Sequence, residues 1–196
     1  MIAYLKGRLI HKTPQTVIVN VAGVGYCASI PLSTYFKLGE ENSDVELHVH
    51  THLTDNSLSL YAFSSSEEKD LFLKLINISG IGPKLALNVL SGIGPAELEE
   101  AVRQNDITRI TLIPGIGKKT ALRIALELQE KIERKEKKLA LPKVAKEREE
   151  LISALMNLGF RRKEVEEVVD RTIKALTLEA GFEQLLRESL RRMAKI

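Results

Sequence analysis

The sequence predicts a chain that is first β and then α: a small five-stranded closed barrel, a helical domain built on a duplicated hairpin, and a three-helix bundle. Three observations predict this. Short runs of β-branched residues separated by turn residues fill positions 1–63, helical periodicity takes over at Ser64, and a Gly-Ile-Gly segment recurs at a fixed spacing in the helical part. A length of 196 residues allows one large domain or two to three small ones, and is long enough for real cores.

Ile2–His11, Gln15–Val21, Gly25–Ile30, Val45–Leu53 and Ser57–Phe63 read as strands. Five strands in about sixty residues is the size of an OB-fold barrel. Gly7 inside the first strand predicts a bulge or tight bend. Ser64-Ser-Ser-Glu67 has the pattern of a capping box and opens a helix with Leu71, Phe72, Leu75 and Ile76 on one face. Helical segments with short turns then continue to about Arg134. Residues 64–138 form the second domain, and residues 139–147, rich in charge and interrupted by Pro142, read as a linker. Residues 148–196 give three amphipathic helices, around Glu149–Leu158, from Lys163 to about Leu176 and from about Phe182 to Met193. Gly159 and Gly181 stand at the turns.

Composition narrows the function. Apolar residues make up 44% and charged residues 28%, as in globular proteins, and no apolar run is long enough to cross a bilayer. The opening Met1-Ile-Ala-Tyr-Leu-Lys-Gly-Arg does not read as a secretory signal, so the expected compartment is the cytoplasm. The net charge of +3 is spread along the chain without a polycationic segment, so a nucleic-acid partner must be held by a few placed donors. Trp is absent and Phe plus Tyr total nine, which leaves little for stacking on single strands. One cysteine, Cys27, excludes an internal disulfide and reads as a small buried hydrophobe.

The repeat carries the chemistry. Leu75-Ile-Asn-Ile-Ser-Gly80-Ile-Gly82-Pro-Lys84-Leu-Ala86-Leu matches Ile110-Thr-Leu-Ile-Pro-Gly115-Ile-Gly117-Lys118-Lys119-Thr-Ala121-Leu at an offset of 35. Each copy reads as helix, tight turn, helix. The middle Ile can bury between the helices, and the glycines allow positive φ and close approach of another backbone. The following helix starts with amides that lack an intrahelical acceptor, and its positive dipole end suits a phosphate oxygen. Lys84, Lys118 and Lys119 add charge there. The plain alternative is an αα-hairpin that needs Gly only for its turn.

Other patterns fall away. Gly92-Ile-Gly94-Pro95 is followed by Ala96-Glu-Leu-Glu-Glu100, whose carboxylates would repel phosphate, so it reads as a helix cap only. Gly115-Ile-Gly117-Lys-Lys-Thr120 lacks the spacing and the Lys-Ser/Thr pair of a P-loop. Gly23-Val-Gly25 follows a strand, but Pro31 arrives before a helix could form, which makes it a hairpin turn. His48, His50 and His52 alternate on one strand face at a spacing that can bind zinc. No carboxylate or second histidine cluster accompanies them, so they read as an exposed strand face and no metal is expected. No nucleophile, paired-carboxylate or other catalytic constellation assembles, and no cofactor is expected.

The duplicated segment resembles the helix-hairpin-helix motif, which grips the DNA backbone from the minor-groove side without reading bases. Two copies imply a grip on two phosphates, with Gly80, Gly82, Lys84, Gly115, Gly117, Lys118 and Lys119 as the binding residues. The whole chain, 1–196, is similar to the RuvA family, DNA-binding subunits of the bacterial Holliday junction branch-migration complex. The most specific pieces are Met1-Ile-Ala-Tyr-Leu-Lys-Gly7, Gly23-Val-Gly-Tyr26, Leu60-Tyr-Ala-Phe63, Gly82-Pro-Lys-Leu-Ala-Leu87 and Leu112-Ile-Pro-Gly-Ile-Gly-Lys-Lys-Thr-Ala121. The resemblance implies a homotetramer, one or two per four-way junction, that holds the junction open and flat. It implies the ATP-driven motor RuvB as a separate partner and the resolvase RuvC as another.

It also implies an acidic pin in the turn between the last two strands, at Asp55 and Asn56. The family commonly has two acids there, so Asn56 is a departure, and Asp-Asn is equally an ordinary hairpin turn. The C-terminal bundle resembles the module with which the family contacts its motor. There Leu155, Leu158 and Leu190 either contact the motor or simply pack the small core. The linker is short beside the Ala- and Pro-rich ones common in the family. Two other readings compete: a helix-hairpin-helix glycosylase or nuclease subunit, for which no cleft-forming second lobe fits, and a general DNA-binding adaptor without junction preference.

Overall fold

Strand β1 (Tyr4–Lys12) runs antiparallel to β2 (Thr16–Val21), which pairs with β3 (Val24–Ser29). After a short helix, β4 (Asp44–Thr54) and β5 (Ser57–Phe63) form a second hairpin. The order β1-β2-β3-β5-β4 closes on itself, because β4 returns to β1 and β3 meets β5 in parallel. The computed structural model describes residues 1–140, 143–176 and 181–194, and their side chains except at 133–140, 143 and 144. Its residues divide into two compact units, Met1–Lys131 and Ile132–Ile196.

Alternation fills the barrel: Leu5, Leu9, Val17, Val19, Ala28, Ile30, Val45, Leu47, Val49, Leu60 and Ala62 point inward and are buried. The same alternation corrects the reading of Cys27. It lies between Tyr26 and Ala28, both turned to the core, pairs with Ile18, and is exposed. Gly7 is not the bulge. The register slips between Leu9 and His11, whereas Gly7 sits where β1 crosses Asn20 so closely that a Cβ would lie 2.1 Å from that carbonyl oxygen. The Ala22-Gly23 turn has positive φ at both residues, the geometry favoured for a two-residue hairpin.

Helix α1 (Leu32–Lys37) was not legible in the sequence. It starts directly after Pro31 and is only six residues long, too short for a periodicity to show. Its Thr34 is fully buried and, with Lys37, faces the next helix, α2 (Ser66–Ile76). The cap of α2 is one residue later than expected: Ser65 accepts from the Glu68 amide, so Glu68 and not Glu67 is the third helical residue. Its carboxylate is buried, at 2% exposure, and accepts from the hydroxyls of Thr34 and Ser64 at 2.9 Å each and from the Lys37 ammonium at 3.2 Å. Burial pushes the Glu68 carboxyl up, but the hydroxyls of Ser64 and Thr34 together with Lys37 outweigh it and hold the carboxyl below its ordinary value.

Helix α2 also covers the outer face of β4. The Phe72 ring lies 5.7 Å from that of His50 and 5.1 Å from that of Tyr61. The histidine row is therefore half-buried under a helix rather than an open strand face. Burial, followed by the charges of His52 and Lys69, lowers the pKa of His50, whose Nε2 has no hydrogen-bond partner. Helices α3 (Pro83–Gly92), α4 (Pro95–Arg103), α5 (Ile107–Thr111) and α6 (Lys118–Ala140) complete the hairpin region.

In the second unit, α7 (Lys143–Asn157), α8 (Arg162–Leu176) and α9 (Phe182–Met193) pack Leu151, Ile152, Leu155, Val165, Val168, Val169, Leu185 and Met193 into one core. Arg148 grips Asp170 with two hydrogen bonds, of 2.6 and 3.0 Å, joining α7 to α8. Residues 139, 140 and 143–147, read from sequence as linker, are helical, and Leu141 and Pro142 lie outside the described residues. Lys, Glu, Arg, Ala and Leu are strong helix formers, and that propensity holds where few large apolar groups are present to signal it.

The Glu68 cluster yields a pH prediction. Because the folded carboxyl titrates below the unfolded value of 4.5, the unfolded chain takes up the proton first, and stability should fall as pH drops below about 4.5. Glu68→Gln should lower stability at pH 7 by about 1–3 kcal/mol and flatten that acid-side decline. Thermal melts of both proteins between pH 7 and 3 would check it, and parallel curves would rule it out.

Candidate nucleic-acid interface

The two turns are built from the same parts. In the first, Ile78 donates to the Leu75 carbonyl, Gly80 has φ +85°, and Ile81 donates to the Ile78 carbonyl at 3.0 Å. In the second, Ile113 donates to Ile110, Gly115 has φ +86°, and Ile116 donates to Ile113 at 3.0 Å. A side chain at either glycine would be strained, which is why Gly stands at both. Ile81 and Ile116 are buried as the spacing predicts, at 3% and 5% exposure, along with Ile78 and Ile113.

Each turn delivers the chain into a helix. Ala86 donates to the Gly82 carbonyl and Ala121 to the Gly117 carbonyl, closing the first helical turn in each copy. The amides before them, of Lys84 and Leu85 in α3 and of Lys118, Lys119 and Thr120 in α6, precede any helical acceptor and point out of the N-terminus. Beyond the chain immediately around it, a Cβ built on Gly82 or on Gly117 would meet nothing within 4 Å, so the space at both helix starts is open. Lys84, Lys118 and Lys119 are exposed around it. An anion oxygen fits both places, through amide donors, dipole and nearby ammonium groups. The copies are unequal: Pro83 stands where the second copy has Lys118, so the first turn offers one amide and one cation fewer.

The third Gly-Ile-Gly is a cap, as its sequence implies. Gly94 caps α4, Pro95 follows at the first helical position, and Glu97 in that first turn pairs with Arg109 of α5. Among the described residues no group of three or more His, Cys, Asp or Glu side chains could hold a metal ion. No helix there is long and apolar enough to cross a membrane. Asp55 and Asn56 form the two-residue turn of the β4–β5 hairpin, with Thr54 and Ser57 joined hydroxyl to hydroxyl at 2.8 Å beneath it. Both turn residues are exposed, as are Leu53 and Leu58, which pair across the strands next to them.

Three family models cover most of the chain: RuvA N terminal domain over residues 1–62, SAM-like helix-hairpin-helix tandem over 72–130, and RuvA, C-terminal domain over 146–194. Proteins named Holliday junction branch migration complex subunit RuvA from Syntrophobacter fumaroxidans and Geobacter sulfurreducens are each 42% identical to it. Those matches run over 197 and 203 residues, covering 99% and 100% of this chain and 100% of each relative. A protein of the same name from Syntrophus aciditrophicus is 40% identical over 204 residues, 99% of this chain and 100% of its own. The chain belongs to the RuvA family.

The structure separates the three C-terminal leucines of this RuvA family member between core and surface. Leu155 is wholly buried in the bundle core, Leu190 is partly buried against it, and Leu158 is 61% exposed at the end of α7. Leu155 therefore has no surface to offer a partner and acts on any contact only through the fold. Two residues escaped the sequence reading. Glu68 was hidden by the one-residue shift of the cap. Arg123, which reaches from α6 to the first turn, could have been found from the repeat, because the offset of 35 pairs it with Asn88.

The glycines and leucines give contrasting expectations. Gly80→Ala or Gly115→Ala should cost about 1–3 kcal/mol, because each forces a side chain into positive φ. Gly82→Ala or Gly117→Ala should change stability by less than about 1 kcal/mol. Leu155→Ala should destabilise the bundle by about 2–5 kcal/mol, whereas Leu158→Ala should stay within about 0.5 kcal/mol. Urea unfolding of the six variants would check this, and equal losses at Gly80 and Gly82 would refute the assignment.

Proposed function

We propose that the chain binds four-way DNA junctions as a homotetramer, one or two per junction, and holds them open and planar through backbone contacts. In this reading it is not an enzyme. It acts in the cytoplasm as the DNA-binding subunit that recruits and guides the ATP-driven RuvB motor, with the RuvC resolvase as a further partner. The relatives' shared name, a branch migration complex subunit, supports a place in such an assembly. The observation that carries the reading is the pair of matching turns, each with open space, outward amides and lysine at a helix start.

The parts divide the work. Residues 1–63 tetramerise and present the pin, where Asp55 repels phosphate at the junction centre and Asn56 contributes no charge. Residues 64–138 hold the DNA, with Gly80, Gly82 and Lys84 on one phosphate and Gly115, Gly117, Lys118 and Lys119 on another. Residues 139–147 connect to residues 148–196, which contact the motor. Leu158 is the exposed candidate for that contact, with Leu190 beside the core.

The test compares a four-way junction with linear duplex of the same length in gel shifts. Junction preference is expected, and Lys119→Ala should weaken binding to all junction sequences alike while lowering the salt slope by about 1 for every phosphate released per subunit. The second turn should matter more than the first, so Lys84→Ala should cost less than the Lys118→Ala and Lys119→Ala pair. A chain ending near Lys138 should keep junction affinity within about tenfold, ~1.4 kcal/mol, yet fail to support branch migration with the motor and ATP. Leu158→Ala should weaken motor coupling without unfolding the bundle. Sequence-dependent losses, ATP hydrolysis by the pure protein, or equal affinity for duplex would each reject the reading.

A further inference from the structure

The two hairpins touch each other through equivalent positions. Arg123, in the second turn of α6, sends Nη1 to the Ser79 carbonyl at 2.5 Å, across 44 residues of sequence, and Ser79 immediately precedes Gly80. The same nitrogen lies 3.3 Å from where a Cβ on Gly80 would stand. In the opposite direction, Leu85 and Asn88 of α3 lie against Gly115, at 3.4 and 3.9 Å from its Cβ position. Shifting Asn88 by the repeat offset of 35 gives Arg123. Each hairpin thus lays its outgoing helix on the other's turn, with the same repeat position at the contact.

The contacts differ in kind. Asn88 meets Gly115 only by packing, whereas Arg123 makes a charge-assisted hydrogen bond to backbone, the stronger and more directional of the two. Arg123 grows from the helix whose N-terminus forms the second anion place, so its bond ties the first turn to the second directly. Without it, the Ser79 carbonyl loses its guanidinium donor, and the first turn is placed by the packing of Ile78 and Ile81 and by its own backbone bonds.

We propose that Arg123 is a positioning residue that sets the spacing between the two phosphate-binding turns before DNA arrives. This rests on the reading that both turns take phosphates. Two sites joined in one rigid body bind together at high effective concentration, and a loose turn must be ordered at the moment of binding. Removing the brace then weakens binding without reducing the number of phosphates held. A direct phosphate ligand behaves otherwise, because its loss lowers the salt slope.

The experiment uses full-length Arg123→Met, the Lys118→Ala and Lys119→Ala pair, and the combination of all three. Without DNA, amide exchange at residues 80–82 should be at least fivefold faster in Arg123→Met, with exchange at 115–117 and the melting temperature nearly unchanged. On a four-way junction the variant should bind about tenfold more weakly with an unchanged salt slope, and it should add less than twofold once the second turn's lysines are gone. Unchanged exchange at 80–82, a salt slope lower by about 1 per subunit, or full additivity would overturn the proposal, the last two marking Arg123 as a phosphate contact. A melting temperature lowered by more than about 5 °C would overturn it in favour of a purely structural role. If the wild-type protein itself shows no junction preference, the functional reading fails, while the exchange result still decides the brace.

Discussion

A backbone that must pass through positive φ twice, at Gly80 and at Gly115, sets the terms for the rest of the hairpin region. At each point the reversal buries the next isoleucine and points the following helix outward by its N-terminus. The buried Ile78, Ile81, Ile113 and Ile116 then hold the turns from beneath, so the outward amides belong to a packed surface and not to a mobile loop. Donors fixed in advance can bind an anion with little reorganisation. The modest net charge of the chain is consistent with placement doing the work that bulk charge does in polycationic proteins.

A second constraint joins the turns to the barrel. The Glu68 carboxylate sits where α1 and α2 meet, and a buried charge of this kind persists only when its lone pairs are filled. Thr34, Ser64 and Lys37 fill them from the barrel side. The Leu32 amide donates to Ser91 in α3 at 3.0 Å, and Ser91 in turn donates to the Leu87 carbonyl at 2.7 Å. The short helix that the sequence does not reveal is therefore a connection between barrel and first hairpin, beside the packing of Phe72 of α2 on His50 and Tyr61.

What was legible follows from how each signal is encoded. Barrel strands and the repeat are written in periodicity and in glycine spacing, both of which survive in a linear reading. The position of Cys27 was also written there, because Ala28 and Ile30 already define the inward face, and treating the thiol by residue type rather than by strand parity placed it on the wrong side. The Glu68 cluster and the Arg123 bond join residues 30 or more positions apart, the helix over the histidine row joins Phe72 to His50 across 22, and the cap of α2 depends on a one-residue shift. Such contacts leave no local pattern. Leu155 and Leu158 show the same limit within one helix: three residues apart, they fall on opposite sides of the line between core and solvent because α7 ends between them.

The outward thiol of Cys27 has a practical consequence. It is the sole cysteine of the chain, and it lies on the outer side of a barrel strand, away from both Gly-Ile-Gly turns in sequence. A maleimide dye would therefore attach at one defined point per subunit of the unaltered protein. In an assembly of identical subunits, the number of bleaching steps from that dye counts copies directly, and energy transfer from it to a labelled DNA arm reads geometry without any engineered residue.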